Sequence, residues 1–162
     1  MHEATLISVA TVDAIERLYR SRQRYFLRVA RAELGDGEAA TDAVQEAFAR
    51  AIRSRHSFSG SGSLDAWVWR ILVNVCRNTQ KAREPLVETA SPGSEPLEAG
   101  EYARVRVAFK ELPERQRLVL FLRYYADLDY ARIGEVLGIE RGTVAATIHA
   151  AHTRLRTILM EV

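Results

Sequence analysis

The chain has 162 residues, of which 48% are hydrophobic and 27% charged, and its net charge at pH 7 is +2. This balance is typical of a globular protein and excludes both a disordered chain and a protein that binds nucleic acid through net charge alone. No apolar run approaches the roughly 20 residues that cross a bilayer, so membrane insertion is not expected. The one cysteine, Cys76, cannot form an internal disulfide, which favours a buried thiol in the reducing cytoplasm.

Three amphipathic helices are predicted in the first half of the chain. The first runs from Val12 to Ala32, and the turn at residues 35–37, which contains two glycines, ends it. The second has apolar residues at i, i+3, i+4, i+7 and i+8 counted from Val44. Its opposite face mixes acid, amide and base, which by spacing alone is typical of ordinary solvent exposure. The residues of this polar face are Asp42, Gln45, Glu46, Ala49, Arg50 and Arg53.

The third helix is predicted from about Leu64 to Arg83, with an apolar stripe on one side and a basic stripe on the other. The apolar stripe contains Leu64, Trp67, Val68, Ile71, Leu72 and Val75. The basic stripe, at i, i+4, i+7 and i+11, contains Arg70, Asn74, Arg77 and Lys81. Because cationic groups contact phosphates and an amide reads a base edge, the basic stripe is a candidate surface for nucleic acid.

Aromatic and flexible residues lie beside the basic stripe. Trp69 adjoins it on the helix, Phe58 precedes the helix, and the loop between Phe58 and the helix is Ser59-Gly60-Ser61-Gly62-Ser63. Aromatic rings stack on unpaired bases, so these residues together are suited to gripping a single strand. Spacing leaves one alternative open, a solvated helix face with a tryptophan that completes the core.

Residues 85–100 predict a linker between two domains. They contain three of the four prolines, two glycines and three glutamates, and they show no helical period. Such a composition is typical of an extended acidic connection. The chain is therefore expected to have one domain over residues 1–84 and a second over residues 101–162.

Four helices are predicted after the linker, over residues 102–112, 113–125, 130–137 and 143–159. Pro113 suits a first helical turn, where its missing N–H costs nothing, and Asp129 is a good N-cap. Gly138 makes the turn before the last helix, and the small Gly134 would let the last two helices approach closely. This pattern predicts a helix-turn-helix, with a plain helical corner as the alternative. No alternating apolar segment indicates a strand, so the fold class is all-α.

Several motifs resemble those of a known family. The segment DAVQEAF at 42–48 resembles the D-x-V-Q-E-x-F signature of sigma region 2, which Phe58, WVWRI at 67–71 and Asn74 continue in register. Segments of the second half resemble sigma region 4, and they are LPERQR at 112–117, LRYY at 122–125, LDY at 128–130, LGI at 137–139 and GTV at 142–144. Both halves occur in the expected order, so the chain resembles an extracytoplasmic-function sigma factor of the sigma-70 family.

The resemblance implies two small helical domains, a region 2 bundle and a region 4 helix-turn-helix, joined by a flexible linker. It also implies an alternative sigma factor that binds core RNA polymerase, recognises the minus-ten and minus-thirty-five promoter elements, and promotes melting. The surface that docks on the clamp helices of the largest polymerase subunit is expected to contain Asp42, Gln45, Glu46 and Arg50. The residues expected to bind the minus-ten element, with a flipped base in a pocket, are Phe58, Ser59, Gly60, Ser61, Gly62, Ser63, Trp69, Arg70, Asn74 and Arg77.

In the same family, the last helix enters the major groove at the minus-thirty-five element, while the region 4 surface before it docks on the polymerase flap. The residues assigned to this DNA contact are Arg141, Thr143, Thr147, His149 and Arg154. The sequence departs from the family here, because the stretch AATIHAAH at 145–152 lacks the several basic residues that are usual. Fewer phosphate contacts weaken the electrostatic part of the affinity, so duplex binding at this element is expected to be weak or unusually specific.

The implied partners are core RNA polymerase, promoter DNA as duplex and as melted single strand, and an anti-sigma factor. No catalytic constellation, metal site or cofactor is predicted. His149 and His152 lie at i, i+3, but no carboxylate or thiolate at ligand spacing accompanies them. Two alternatives stay open: a stand-alone helix-turn-helix transcriptional regulator that binds duplex DNA as a dimer, and a module that only occupies polymerase or an anti-sigma factor.

Overall fold

A computed structural model describes residues 10–83 and 100–161, and it contains seven α-helices and no strand within those residues. In chain order the helices are α1 (Val12–Leu34), α2 (Gly37–Arg53), α3 (Leu64–Arg83), α4 (Glu101–Lys110), α5 (Glu114–Tyr124), α6 (Tyr130–Leu137) and α7 (Arg141–Met160). A short 3-10 turn, Arg55–Ser57, follows α2. The all-α prediction is confirmed. The predicted linker lies outside the described residues, apart from Gly100.

Polar side chains and glycines set the ends of the first helices. Thr11 Oγ1 accepts the Ala14 N–H at the start of α1, and Gly35, with φ 70°, ends that helix. α1 therefore continues two residues past its predicted end. Asp36 accepts the Glu38 N–H, so α2 begins at Gly37, which the sequence had placed in a turn. Ser63 Oγ accepts the Ala66 N–H at 3.0 Å and caps α3.

α1, α2 and α3 pack around an aromatic centre. The ring of Phe26 stacks on Trp69 with centroids 3.9 Å apart, and its edge contacts Phe48 at 5.1 Å. Offset-stacked and edge-to-face pairs of this kind add to the stabilisation that burial alone provides. Cys76 is buried in the same core, as predicted, and burial raises the pKa of its thiol to about 12.

α5 is the central helix of the second half. Its five consecutive residues from Leu118 to Leu122 are all buried, because α7, α6 and α1 pack against different sides of it. α4 packs on α7, and the rings of Phe109 and Phe121 stack with centroids 5.4 Å apart. Pro113 precedes α5 as its capping residue, rather than standing inside the first turn as the sequence predicted, since its ψ of 144° is extended.

α6 and α7 form the predicted helix-turn-helix. Asp129 Oδ1 accepts the Arg132 N–H at 2.8 Å and caps α6, and Gly138, with φ 67°, ends it. A Cβ at Gly134 would lie 2.6 Å from the backbone oxygen of Ile139, so the tight crossing requires glycine at that position. α7 begins at Arg141, two residues earlier than predicted, because the extended Glu140 is its capping residue.

The two halves contact each other directly. α6 packs against α3, and α5 packs against α1. The buried apolar side chains of both halves belong to one continuous cluster. The outer side of α3 is therefore shared between solvent and the helix-turn-helix.

Candidate functional site

The polar face of α2 is assembled as the sequence predicts. Asp42, Gln45 and Arg50 are exposed, whereas the opposite side of α2 is buried against α1 and α3. Glu46 accepts hydrogen bonds from Arg50 Nε at 2.7 Å and Arg53 at 3.2 Å. The hydrogen bond from Arg50, with the charge of Arg53, lowers the pKa of the Glu46 carboxyl below its ordinary value. This face therefore presents a fixed carboxylate and guanidinium pair beside a free acid and an amide.

The loop before α3 brings the serines together at the entrance to that helix. Ser59 Oγ and Ser61 Oγ are 2.7 Å apart, and the loop turns at Gly60 and Gly62, which have positive φ of 75° and 86°. These two positions favour glycine, because L side chains rarely adopt such angles. Ser63 ends the loop as the cap of α3.

Phe58 is almost fully buried at the start of this loop. Only 7% of its surface is exposed, and its ring contacts the ring of Trp67 with centroids 5.4 Å apart. Its ring can therefore form the wall of a pocket beside the loop, but not a freely projecting platform.

The outer side of α3 carries the predicted basic stripe. Arg70, Asn74 and Lys81 are exposed, and Arg77 is half-buried. Their spacing of three or four residues places them on one side of the helix, next to the loop that precedes it. An amide group with a cation on either side along the helix is thus presented at the surface.

The expectation that Trp69 contacts a strand is wrong for this conformation. Trp69 is completely buried and stacked on Phe26, so no face of its ring is accessible. The physical reason is that α3 is buried around about half of its circumference, by α1 on one side and α2 on the other. The sequence analysis assumed a narrower apolar stripe, and it placed Trp67 in the core although Trp67 is only half-buried.

Two arginines of the basic stripe are bound by the second half of the protein. Arg70 donates to the backbone oxygen of Glu135 at 2.5 Å and to that of Val136 at 3.4 Å. The Nε of Arg77 donates to the carboxylate of Glu114. The sequence placed both side chains on the surface but gave no sign of these partners.

A buried polar cluster joins α1, α3 and α5, and the sequence analysis missed it. The carboxylate of Glu33 is 2% exposed, accepts from Arg117 Nε at 3.3 Å, and accepts from Gln80 Nε2 at 3.1 Å. Burial raises the pKa of Glu33 despite the opposing charge of Arg117. One signal could have revealed it: Glu33 stands seven residues after the core residue Phe26, so it shares the buried side of α1.

The residues predicted to contact DNA on α7 do not form one surface. Thr143, Thr147 and Arg154 lie at i, i+4 and i+11, on one side of the helix. His149 is two positions beyond Thr147 and so projects from nearly the opposite side. Arg141, Thr143, His149 and Arg154 are exposed, whereas Thr147 is half-buried and its hydroxyl donates to the Thr143 backbone oxygen at 2.7 Å.

Other chemistry was sought in the same described residues. Among residues 10–83 and 100–161, no three histidine, cysteine or acidic side chains are grouped so that they could hold a metal ion. His152 instead contacts the Tyr124 hydroxyl, with Nε2 and the oxygen 3.1 Å apart. Within those same ranges, no helix is both long and apolar enough to cross a membrane.

Sequence comparisons agree with these two surfaces. Residues 18–84 match the family model for sigma-70 region 2, and residues 108–157 match the model for sigma-70 region 4. The RNA polymerase sigma-E factor of Streptomyces coelicolor is 30% identical over 90% of this chain and 85% of its own length. The ECF RNA polymerase sigma factor SigM of Mycobacterium tuberculosis is 29% identical over 90% of this chain and 77% of its own length. The chain belongs to the ECF RNA polymerase sigma factors, alternative sigma factors of the sigma-70 family that direct transcription initiation.

Solved structures show the same fold. CnrH, in complex with the cytosolic domain of CnrY, matches with a TM-score of 0.73 and 22% identity over 94% of this chain and 91% of CnrH. The sigma factor RpoE of Bartonella quintana, in complex with the anti-sigma factor NepR, matches with a TM-score of 0.69 and 22% identity over 93% of this chain and 98% of RpoE.

Proposed function

We propose that this sigma factor binds core RNA polymerase and carries it to promoters with particular minus-ten and minus-thirty-five elements, where it promotes melting. Residues 1–84 form the domain that binds polymerase and the minus-ten element, residues 85–100 connect the domains, and residues 101–162 bind the minus-thirty-five element. The observation that carries the proposal is the presence of both sigma-70 regions in one chain and in that order.

In this proposal the melted minus-ten strand binds the outer side of α3 and the loop before it. Asn74 reads the edge of a flipped base, the ring of Phe58 forms a wall of its pocket, and Arg70 and Arg77 bind the strand's phosphates. Extrusion of a base costs a few kcal/mol, which contacts of this kind can offset. The loop residues that border the pocket are Ser59, Gly60, Ser61, Gly62 and Ser63. The buried Trp69 supports α3 from the core.

The polar face of α2 is proposed to dock on the clamp helices of the largest polymerase subunit, through Asp42, Gln45, Glu46 and Arg50. Reversing two charges, with Asp42→Lys and Glu46→Lys together, should lower the affinity for core polymerase about tenfold or more, equivalent to about 1.4 kcal/mol. Reversal of Asp13 and Glu16, two exposed acids on α1, is a matched control that should leave the affinity unchanged. Direct binding measurements on the three proteins decide this, and equal affinities would count against the docking face.

The last helix, α7, is proposed to enter the major groove of the minus-thirty-five element, while the preceding helices of the second half dock on the polymerase flap. Thr143, Thr147 and Arg154 share one side of α7 and are the best placed to contact one groove together. Arg141 and His149 would reach flanking positions. With few cations on this surface, the isolated protein should bind duplex promoter DNA weakly.

Further partners and properties follow from the same proposal. The solved relatives CnrH and RpoE are bound to CnrY and to an anti-sigma factor, respectively, which supports an anti-sigma factor as a partner of this chain. Binding to polymerase and DNA places the protein in the cytoplasm. It acts without catalysis of its own and without a metal or cofactor.

The deciding experiment is run-off transcription with purified core polymerase, this protein and genomic DNA fragments, followed by mapping of the start sites. We expect RNA to begin at defined positions only when the protein is added. Initiation should decrease with Asn74→Ala, because Asn74 is exposed and its loss leaves the core of the first half intact.

Two results of this assay would contradict the proposal. Core polymerase that binds the protein and never initiates at a defined site would indicate a module that only occupies polymerase. Unaided, specific binding to duplex DNA without initiation would indicate a stand-alone helix-turn-helix regulator.

A further inference from the structure

The second half of the protein covers the part of α3 to which the proposed function assigns the melted strand. The contacts involve the arginines of α3 and the loop residue Ser63, which are the same groups that are proposed to hold the strand. We infer that the free protein is held in a closed state in which its own helix-turn-helix half competes with the promoter strand. This inference rests on the proposed function and adds a form of regulation to it.

The groups that bind the arginines resemble phosphate in their chemistry. Arg70 donates to backbone oxygens of Glu135 and Val136, in the last turn of α6, where helix carbonyls carry partial negative charge. Arg77 donates to the carboxylate of Glu114. Guanidinium groups bind carboxylate and phosphate oxygens with the same planar geometry. A phosphate of the strand and these oxygens therefore require the same donors.

The loop side of the candidate pocket is covered in the same way. Ser63 Oγ donates to the Glu135 carboxylate at 3.2 Å. On the first turn of α3, Asp65 is paired with Arg132 of α6, with Oδ2 and Nη1 3.9 Å apart. Glu135 thus contributes both its backbone and its side chain to the contact. Asn74 is left exposed, so the closed state masks the phosphate-binding groups but not the base-reading amide.

The buried polar cluster fixes the geometry of closure. Arg117 of α5 reaches Glu33 of α1, and Gln80 of α3 donates to the same carboxylate and to the Glu33 backbone oxygen at 2.9 Å. A second contact joins Arg22 of α1 to the Ala126 backbone oxygen at 3.5 Å, just after α5. Buried, directional pairs of this kind specify one arrangement of the two halves better than apolar contact does.

Closure has a measurable consequence for strand binding. When only a fraction of the molecules is open, the apparent affinity for a ligand of the open state falls by that fraction. Removing the acids that hold the arginines should raise the affinity for single-stranded DNA. The exposed phosphate contacts are independent of sequence, so an oligothymidine strand is a suitable probe.

The test compares the full-length protein with two doubly substituted forms of equal net charge. Glu114→Gln with Glu135→Gln removes acids that contact α3 or its loop, whereas Glu101→Gln with Glu111→Gln removes two exposed acids of the same half. Fluorescence anisotropy measures binding to labelled oligothymidine. Spin labels on Asn78→Cys and Ala131→Cys, both at exposed positions of α3 and α6, report the distance between the halves. Cys76 is buried and its thiol pKa is about 12, so it should escape labelling.

We expect a short, narrow distance distribution in the parent and in the Glu101 and Glu111 control. The Glu114 and Glu135 form should show longer distances and bind oligothymidine about fivefold or more tightly. Adding Arg70→Ala and Arg77→Ala to that form should remove the gain.

Two outcomes overturn the inference. Distances that are already long in the parent, or that do not change when Glu114 and Glu135 are neutralised, would show that these contacts do not hold a closed state. Longer distances without tighter strand binding would show that closure does not control access to α3. Run-off transcription with the same proteins reports on the proposed function separately, because a sigma factor that fails both tests above still initiates at its promoters.

Discussion

Trp69 illustrates how the role of a single residue depends on which flank of a helix is buried. The spacing of α3 allows either Trp67 or Trp69 to complete the core, because the two project from different sides of the same apolar region. The structure buries Trp69 against Phe26 and leaves Trp67 half-exposed beside Phe58. The function of Trp69 is thus to hold α3 in place rather than to contact DNA.

Truncating Trp69 should therefore reduce stability severely. Trp69→Ala is expected to lower the free energy of unfolding by about 3–5 kcal/mol, since it leaves a cavity in the aromatic centre. Trp67→Ala, at a half-buried position of the same helix, should cost clearly less. Urea denaturation followed by circular dichroism measures both, and equal losses would be inconsistent with the burial of Trp69.

Glu33 is the second residue whose chemistry comes from its surroundings. Burial raises the pKa of its carboxyl above the ordinary value of 4.5, so the folded protein binds this proton more tightly than the unfolded chain does. The resulting contribution to stability is fully present below pH 4.5 and is lost as the pH rises through the folded pKa. Asp65 has the same sign, because burial raises its pKa from 3.8.

The effect of Glu33 can be isolated by difference. We expect the free energy of unfolding of the parent, relative to Glu33→Gln, to fall as the pH rises from about 4.5 through the folded pKa. Asp65 is present in both proteins and cancels. Urea denaturation at a series of pH values gives the two curves, and parallel curves would contradict a raised pKa at Glu33.

At the level of elements, the helix-turn-helix was predictable in detail. Asp129 as cap, Gly138 as turn and Gly134 as contact point are all local features, and each has the predicted role. The face of α2 was also predictable, because a period of 3.6 residues fixes which side chains lie together. The surface of α7 was not, since its candidate residues were chosen by type and exposure and two of them project from opposite sides.

The Gly134 contact gives a test of this element. Gly134→Ala should lower the free energy of unfolding by about 1–3 kcal/mol, because the added methyl would meet the Ile139 backbone oxygen and neither group is free to move aside. Gly142→Ala is the matched control at the start of α7, where a Cβ meets nothing within 4 Å. It should be neutral or slightly stabilising, because alanine favours helix. Thermal unfolding of both variants measures the difference, and a harmless Gly134→Ala would refute the tight crossing.

At the scale of the whole molecule, the structure is held together by contacts between residues far apart in the chain. Glu33 and Arg117 lie on helices of different halves, and each is the main partner that offsets the burial of the other. A buried charge that loses its partner is strongly destabilising. The stability of the first half should therefore depend on a residue of the second.

A double-mutant cycle measures this dependence. Arg117→Ala alone should lower the free energy of unfolding by about 3 kcal/mol at neutral pH, because Glu33 is left buried and unpaired. Glu33→Gln in the same protein should restore part of the loss, with a coupling of about 0.5–3 kcal/mol. Urea denaturation of the parent, both single variants and the double variant gives the coupling. Strict additivity would indicate that the two side chains do not interact in solution.

The sequence by itself determined the helices, their caps, the division into two halves and the family. These features depend on interactions within a few residues, or on motifs whose spacing is fixed by the helical period. Only the tertiary structure decided that Trp69 is core, that Glu33 is buried with Arg117, and that Arg70 and Arg77 are bound by the second half. These facts depend on which surfaces meet across dozens of residues, and local periodicity carries no information about that choice.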